Sequence, residues 1–328
     1  MSSATIQDPP RTRRVRGGSA ARGPRGSHTP VGAAPLERSR RRMFWAFTAP
    51  AVIVYGVLFL LPVGYAAWTS FYKWDGISDK KWKGLGNYQT LWQDPIFRQS
   101  LGNTLKTLVI GGLITFVISF GLMLILREMN RRLFARAVLF FPCLVNAMVF
   151  GIAAGVLFSP DGPVNQALKW LGWSRPPQWL ATEHLPTMIL GTLVWTATGY
   201  YTAILMAAVD QIPEYLYEAA ELDGANAFQR FRHVTLPMCW DVISVCAVLW
   251  TVSSVKIFEL ILMYGGSSGS QPPTDSWNTA MYVYEEAFPQ ASTPQLGLAT
   301  AAALVSLFLV VVFTVVLRRI LRRDPIEY

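Results

Sequence analysis

The sequence predicts an all-α protein that crosses a membrane six times. Three observations carry that prediction. Of 328 residues, 52% are hydrophobic and 15% charged, whereas a soluble domain carries roughly 25% charged residues. Six apolar stretches, at roughly 44–68, 104–126, 137–158, 186–209, 239–263 and 297–317, each reach the length of about 20 residues that a helix needs to cross a hydrocarbon core. Basic residues are also shared unevenly between alternate connections. With the N-terminus inside, the inner segments hold 20 of the 29 Lys and Arg and the outer segments 7, with Lys106 and Lys256 lying within spans. That asymmetry places both termini in the cytosol.

Residues 1–42 carry ten arginines among Gly, Pro and Ser, with almost no large apolar residues. Such a segment cannot bury enough surface to fold and reads as a disordered basic tail. The net charge of +9 is spread between this tail and the flanks of the spans, so it does not form the basic face that nucleic acid requires. The twin arginine at Arg13–Arg14 lies about 30 residues from the first apolar stretch, too far for an export signal.

The first span contains Pro50 and Pro62, tolerable where neighbouring helices pack against the kinks. The outer segment 69–103 carries five basic residues, partly balanced by Asp75, Asp79 and Asp94. Its aromatic residues Tyr72, Trp74, Trp82, Tyr88 and Trp92 suit a headgroup belt, and short surface helices are expected there. The third span holds Gly151-Ile-Ala-Ala-Gly155, a small-xxx-small pattern read as tight packing within one subunit. Cys143, Cys239 and Cys246 form no metal-ligand spacing and read as small apolar packers. Residues 324–328 complete a short inner tail.

Residues 210–238, on the inner side by the charge count, interrupt the oily pattern. Pro213 suits the first turn of a helix. Glu214 and Glu218 favour its positive end, and Leu216, Ala219 and Ala220 give it a shallow apolar strip. Asp223-Gly224 ends it, because glycine tolerates a left-handed backbone. Asn226 with Gln229 matches a capping box for a second short helix, with Phe228, Phe231 and Val234 as its buried side, and Pro237 is expected to start the fifth span. The product is a helix-turn-helix on the cytosolic face. Its small and acidic exposed side fits a groove on another protein better than lipid, where Lys and Arg would be favoured.

Glu218, Ala219, Ala220, Asp223, Gly224, Ala225, Leu236 and Pro237 resemble the "EAA" loop of the membrane subunits of binding-protein-dependent ABC importers. The "GLGNY" of 84–88, "NTL" of 103–105, "RAVLFFP" of 136–142, "VDQIPEYLYEAA" of 209–220 and "KIFELILMYGG" of 256–266 resemble the oligosaccharide and glycerol-phosphate branch, and within it the first of two paired permeases. Tyr264 before Gly265-Gly266, followed by "SSGSQPP", departs from that branch and marks a specialised external loop. The resemblance implies a type I importer permease fold in a bacterial plasma membrane. It further implies a heterodimer with a second permease, two ABC ATPase subunits, an extracytoplasmic solute-binding protein and a carbohydrate substrate. Residues 214–225, with Leu236 and Pro237, would be the joint to the ATPase. No cofactor is expected on this chain. It lacks a G-x-x-x-x-G-K-[ST] phosphate loop, so ATP and magnesium belong on the partner ATPase.

A sugar path needs aromatic faces and hydrogen-bonding groups. Asn146, Trp195, Tyr200, Tyr201, Trp250, Ser253 and Ser254 are the candidates. Lys256 and Glu259, three apart in the expected fifth span, should share a helix side. They read either as groups polarising a wet path or, preferably, as a structural pair or a snorkelling lysine. "GGSSG" at 265–269 matches a nucleophile-elbow pattern, but His28, His184 and His233 all lie outside the spans, leaving a serine there without a base. A stand-alone six-span secondary transporter is the alternative, and it leaves residues 210–238 unexplained.

Overall fold

A computed structural model describes residues 33–127, 129, 132–266 and 271–322. It forms two units, residues 1–60 and 61–328. The described part of the first is α1, Ala33–Tyr55, continued by a wide π-type turn, Gly56–Leu60. Helix therefore begins ten residues before the end of the expected disordered tail, and this corrects that expectation for 33–42. Composition there bars a packed core, but Ala, Leu, Glu and Arg are strong helix formers and extend the helix outward from the apolar span. Residues 1–32 of the expected tail and the whole of the expected inner tail 324–328 lie outside the described residues.

The second unit opens with α2, Leu61–Thr69, then a two-stranded antiparallel hairpin, β1 (Tyr72–Lys73) and β2 (Lys81–Trp82). Asp75 shapes the connecting turn by accepting from the Ile77 and Ser78 amides at 2.9 and 2.7 Å, which lowers its carboxyl to about 2. Lys80 then lies over the rings of Tyr65, Trp68 and Trp74 at 4.5, 4.9 and 4.2 Å, fastening the hairpin by cation–π contacts. Short surface helices are indeed present: α3, Gly86–Gln93, and α4, Pro95–Lys106, which Asp94 caps. The second span thus starts well before residue 104, because α4 runs through a wide turn at Thr107–Gly111 into α5, Gly112–Arg127.

The third span is not one helix. α6, Arg132–Leu144, and α7, Ala147–Leu157, meet at 91°. Pro142 removes a backbone donor inside α6, and the extended Asn146 caps α7, accepting from the Met148 amide at 2.8 Å. Gly151 faces Met263 so closely that a Cβ there would overlap its side chain, so the small-residue stripe serves packing inside the chain. α8, Pro163–Trp170, follows.

The central helix is α9, Leu185–Val209, which packs on α5 and α6. Three short helices come next: α10 (Glu214–Leu222), α11 (Ala227–Arg230) and, after a wide turn at Phe231–Thr235, α12 (Leu236–Met238). The chain then bends by 75° at Cys239 into α13, Trp240–Lys256. Pro237 therefore lies in the helical segment before the bend and not at the start of α13. A second break follows at Ile257, whose ψ of 103° is extended, and α14, Glu259–Gly266, resumes. α15, Thr279–Ala287, packs on α4, and α16, Leu296–Leu321, packs on α2, α3, α13 and α15.

By length and composition four helices can cross a membrane, or six if each bent pair is one span. The helical class and the six-span arrangement stand, with the third and fifth spans bent where the sequence reading drew them straight. The largest buried cluster joins Phe97, Leu185, Ile189, Leu260, Met281 and Tyr282 around α4, α14 and α15, and a second joins Met123, Leu126, Leu205, Met206 and Ile243 nearer α10.

Candidate functional site

α10 presents two unlike sides. Glu214, Glu218, Ala219 and Asp223 are exposed, and Leu222 is 90% exposed. Tyr217 alone of this helix is buried, at 4%. The helix ends in a Schellman turn: the Gly224 amide donates to the Glu221 carbonyl and the Ala225 amide to the Ala220 carbonyl, both at 2.9 Å. Gly224 has φ +77° and no neighbour within 4 Å of a would-be Cβ, so only backbone strain selects glycine here. The expected capping box of α11 is present. Asn226 Oδ1 accepts from the Gln229 amide at 2.9 Å, and Gln229 Oε1 from the Asn226 amide at 2.8 Å. Arg230 pairs with Glu221 across the turn.

The apolar side of α11 differs from expectation. Phe231 and Val234 are half-buried, but Phe228 is 64% exposed, because four residues of helix cannot turn three positions toward one core. With Tyr215 and Leu222 it adds apolar points to an otherwise acidic surface. Leu236 and Pro237 stand apart from the other motif residues. They are half-buried, and Leu236 packs against the Met123–Leu205 cluster, so they anchor the segment rather than display it.

The sequence reading passed over the residues that seat α10. Arg127, the last residue of α5, lies over the Tyr217 ring with Cζ 3.2 Å from its centroid. The Tyr217 hydroxyl shares a 3.0 Å hydrogen bond with Thr235, which is buried just before α12. Burial raises the Tyr217 phenol above its usual range. The spacing Pro213, Tyr217, Ala220 was the available signal, a stripe of period 3–4 beside the one chosen. Nearby, Arg136 of α6 grips Asp210 after α9 with two hydrogen bonds of 2.8 and 3.2 Å.

Of the path candidates, Tyr200, Tyr201, Trp250 and Ser253 line one cavity of about 320 Å³ between α6, α7, α9 and α13. Ser254 lines another of about 340 Å³, with Gln99, Asn103, Lys106, Asp275 and Asn278. Leu193 and Ile257 border both. The first is aromatic and apolar, the second mixed, with more polar groups than the first. Trp250 is buried and its indole N–H donates to the Leu108 carbonyl at 2.8 Å, so only its ring can serve a ligand. Trp195 is exposed, against Phe150 at 5.3 Å, and does not line either cavity.

Asn146, the α7 cap, lines neither cavity. Nor do Lys256 and Glu259, and the break at Ile257 puts them on different helices, which corrects the shared helix side. Lys256 ends α13 and Glu259 begins α14, each at the helix end whose dipole favours its charge. Ser267 and Ser268 of the "GGSSG" stretch lie outside the described residues.

Membrane-length helices around interior cavities, two of them bent, together with an exposed helix-turn-helix, define a polytopic transport protein. The chain belongs to the family of binding-protein-dependent transport system inner membrane components, whose model matches residues 131–324. It is a permease subunit of an ABC importer, and the ATPase of such a system is a separate subunit. The lactose transport system permease protein LacF of Rhizobium radiobacter is 30% identical, with 74% of this chain and 83% of that relative covered. The alpha-glucoside transport system permease protein AglF of Rhizobium meliloti is 32% identical over 69% of each. A bacterial alginate ABC transporter, solved in complex with a periplasmic protein bound to an alginate pentasaccharide, shares the fold. Its TM-score is 0.75 at 22% identity, covering 90% of this chain and 99% of that one.

Proposed function

We propose that this chain is the first of two paired permeases of a carbohydrate importer and that it takes force from an ATPase through α10 and the turn after it. The observation that carries this reading is the two-sided α10. An acidic outer side dotted with Leu222 and Phe228 faces away from the chain, while Tyr217 and Leu236 hold the segment to the spans. A helix meant to lie on lipid would carry Lys and Arg on its polar side. The sugar class is supported by what the relatives' names say of them, lactose and alpha-glucosides, and by the aromatic-lined cavity, since sugars stack their C–H faces on rings.

In this mechanism, with both termini in the cytosol as the Lys and Arg count supports, a second permease completes the path. Two ATPase subunits holding ATP and magnesium close together and draw the two coupling segments with them, which swings the spans from inward-open to outward-open. An external binding protein then releases sugar into the more polar cavity beside Lys106, and the aromatic cavity receives it next.

Purification of the chain from its native membrane in mild detergent tests the reading. A second permease and an ATP-binding subunit should accompany the wild type, and the ATP-binding subunit should be lost with Glu218→Lys. A chain that purifies alone and still carries solute returns the account to a secondary transporter.

A further inference from the structure

Tyr217 joins three parts of the molecule at one side chain. It is carried by α10, its ring is covered by Arg127 from the end of the second span, and its hydroxyl meets Thr235 at the approach to the fifth. It is 4% exposed, so it cannot be part of the surface that α10 offers to a partner. The other links of α10 lead elsewhere: Asp210, just before it, is tied by Arg136 to the third span. The Asp210–Pro213 stretch is a short connection, and Arg230–Glu221 stays within the helix-turn-helix. A cavity of about 340 Å³ at the base of α10 is lined by Arg127, Val209, Asp210, Ile212, Glu214 and Tyr217. Arg127 and Thr235 connect α10 to the second and fifth spans.

We propose that Tyr217 is the positioning residue that passes displacement of α10 to the second and fifth spans. The proposal rests on the coupling role given to α10. Removing the ring should leave docking intact but let α10 move without carrying the α13 wall of the aromatic cavity, where Trp250 and Ser253 stand.

The chain contains a reporter. Cys143 lines the aromatic cavity and is partly exposed, while Cys239 and Cys246 are buried. The experiment uses the whole transporter in lipid nanodiscs and follows Cys143 modification by a small water-soluble maleimide, read by peptide mass. Rates are compared without nucleotide and with ATP plus vanadate, alongside ATP hydrolysis. In wild type, nucleotide should change the rate by about tenfold, the scale of an ordinary coupling free energy. In Tyr217→Leu and in Arg127→Gln the change should fall below about twofold while hydrolysis continues. Tyr217→Phe keeps the ring under Arg127 but loses the Thr235 hydrogen bond, so its response should lie between those of wild type and Tyr217→Leu, while all variants should keep the wild-type yield of assembled transporter.

Wild-type response in both Tyr217→Leu and Arg127→Gln overturns the proposal. So does loss of assembly in Tyr217→Leu together with full response in Arg127→Gln. A wild-type chain that ignores nucleotide, or that keeps its ATPase with Glu218→Lys, removes the coupling role itself and this proposal with it.

Discussion

Asn278 clamps the break in the fifth span. Its Nδ2 donates to the Ile257 carbonyl at 2.5 Å, and its Oδ1 caps α15 by accepting from the Met281 amide at 2.8 Å. One side chain thus satisfies the carbonyl freed by the break and ties it to the start of α15. Its other consequence is to hold Ile257, which borders both cavities, in one place.

Asn278→Ala should therefore cost about 2–4 kcal/mol, the sum of an orphaned buried carbonyl and a lost cap. Asn278→Ser should recover about 1 kcal/mol, because serine still caps α15 but cannot reach Ile257. Unfolding of the detergent-solubilised protein followed by tryptophan fluorescence ranks the three. Equal stability of Ala and wild type would deny the clamp.

At Gly224 the strain of a positive φ is separable from contact, because the space around it is open. Gly224→Val should impair uptake more than Gly224→Ala, and Gly224→Asn least, since an L side chain in this region costs about 1–2 kcal/mol and Asn tolerates it best. Gly224→Asp is nearly as tolerant of the backbone as Asn. Uptake by Asp far below Asn would then report repulsion by the docked partner, not strain.

Trp250 and Tyr200 share a cavity but should answer differently. Trp250→Phe leaves the Leu108 carbonyl without its donor and should lower stability by about 1–3 kcal/mol, with KM for sugar uptake little changed. Tyr200→Ala should raise KM. Lys256→Met should leave KM unchanged and cost less than about 1 kcal/mol, the value of a charge at a helix end.

Glu286 on α15 is held above the ordinary carboxylate range by burial first, then by Asp94 and Glu285. A carboxyl whose folded value is raised binds its proton more tightly when folded. Its contribution is complete below the unfolded value near 4.5 and is lost as pH rises through the raised folded value. Melting temperature of the wild type should decline across that window, and Glu286→Gln should flatten the decline.

Much of this was legible in the sequence because membranes simplify the problem. A span must be long and apolar, and loop charge sets its direction. The Asn226 capping box and the Gly224 turn were equally plain, since both depend on local chemistry. The bends at Asn146 and Ile257 were not. Both halves of each are apolar enough to read as one straight span, Pro142 is tolerable within such a span, and the partner that permits the second bend, Asn278, lies 21 residues away. For the same reason Lys256 and Glu259 seemed to be neighbours on one helix. Tyr217 was hidden differently: an aromatic among acidic residues reads as surface until Arg127 and Thr235, from distant segments, close over it.

The central claim is that the outer side of α10 receives the ATPase, and a photo-crosslinking residue at Leu222, 90% exposed, tests it most directly. Trp170, 94% exposed on α8, serves as the control for the opposite side of the membrane. Irradiated in the native membrane, the Leu222 probe should form an adduct with a nucleotide-binding subunit and the Trp170 probe should not. A Leu222 adduct only with lipid or with an external binding protein, or a Trp170 adduct with the nucleotide-binding subunit, would contradict the account.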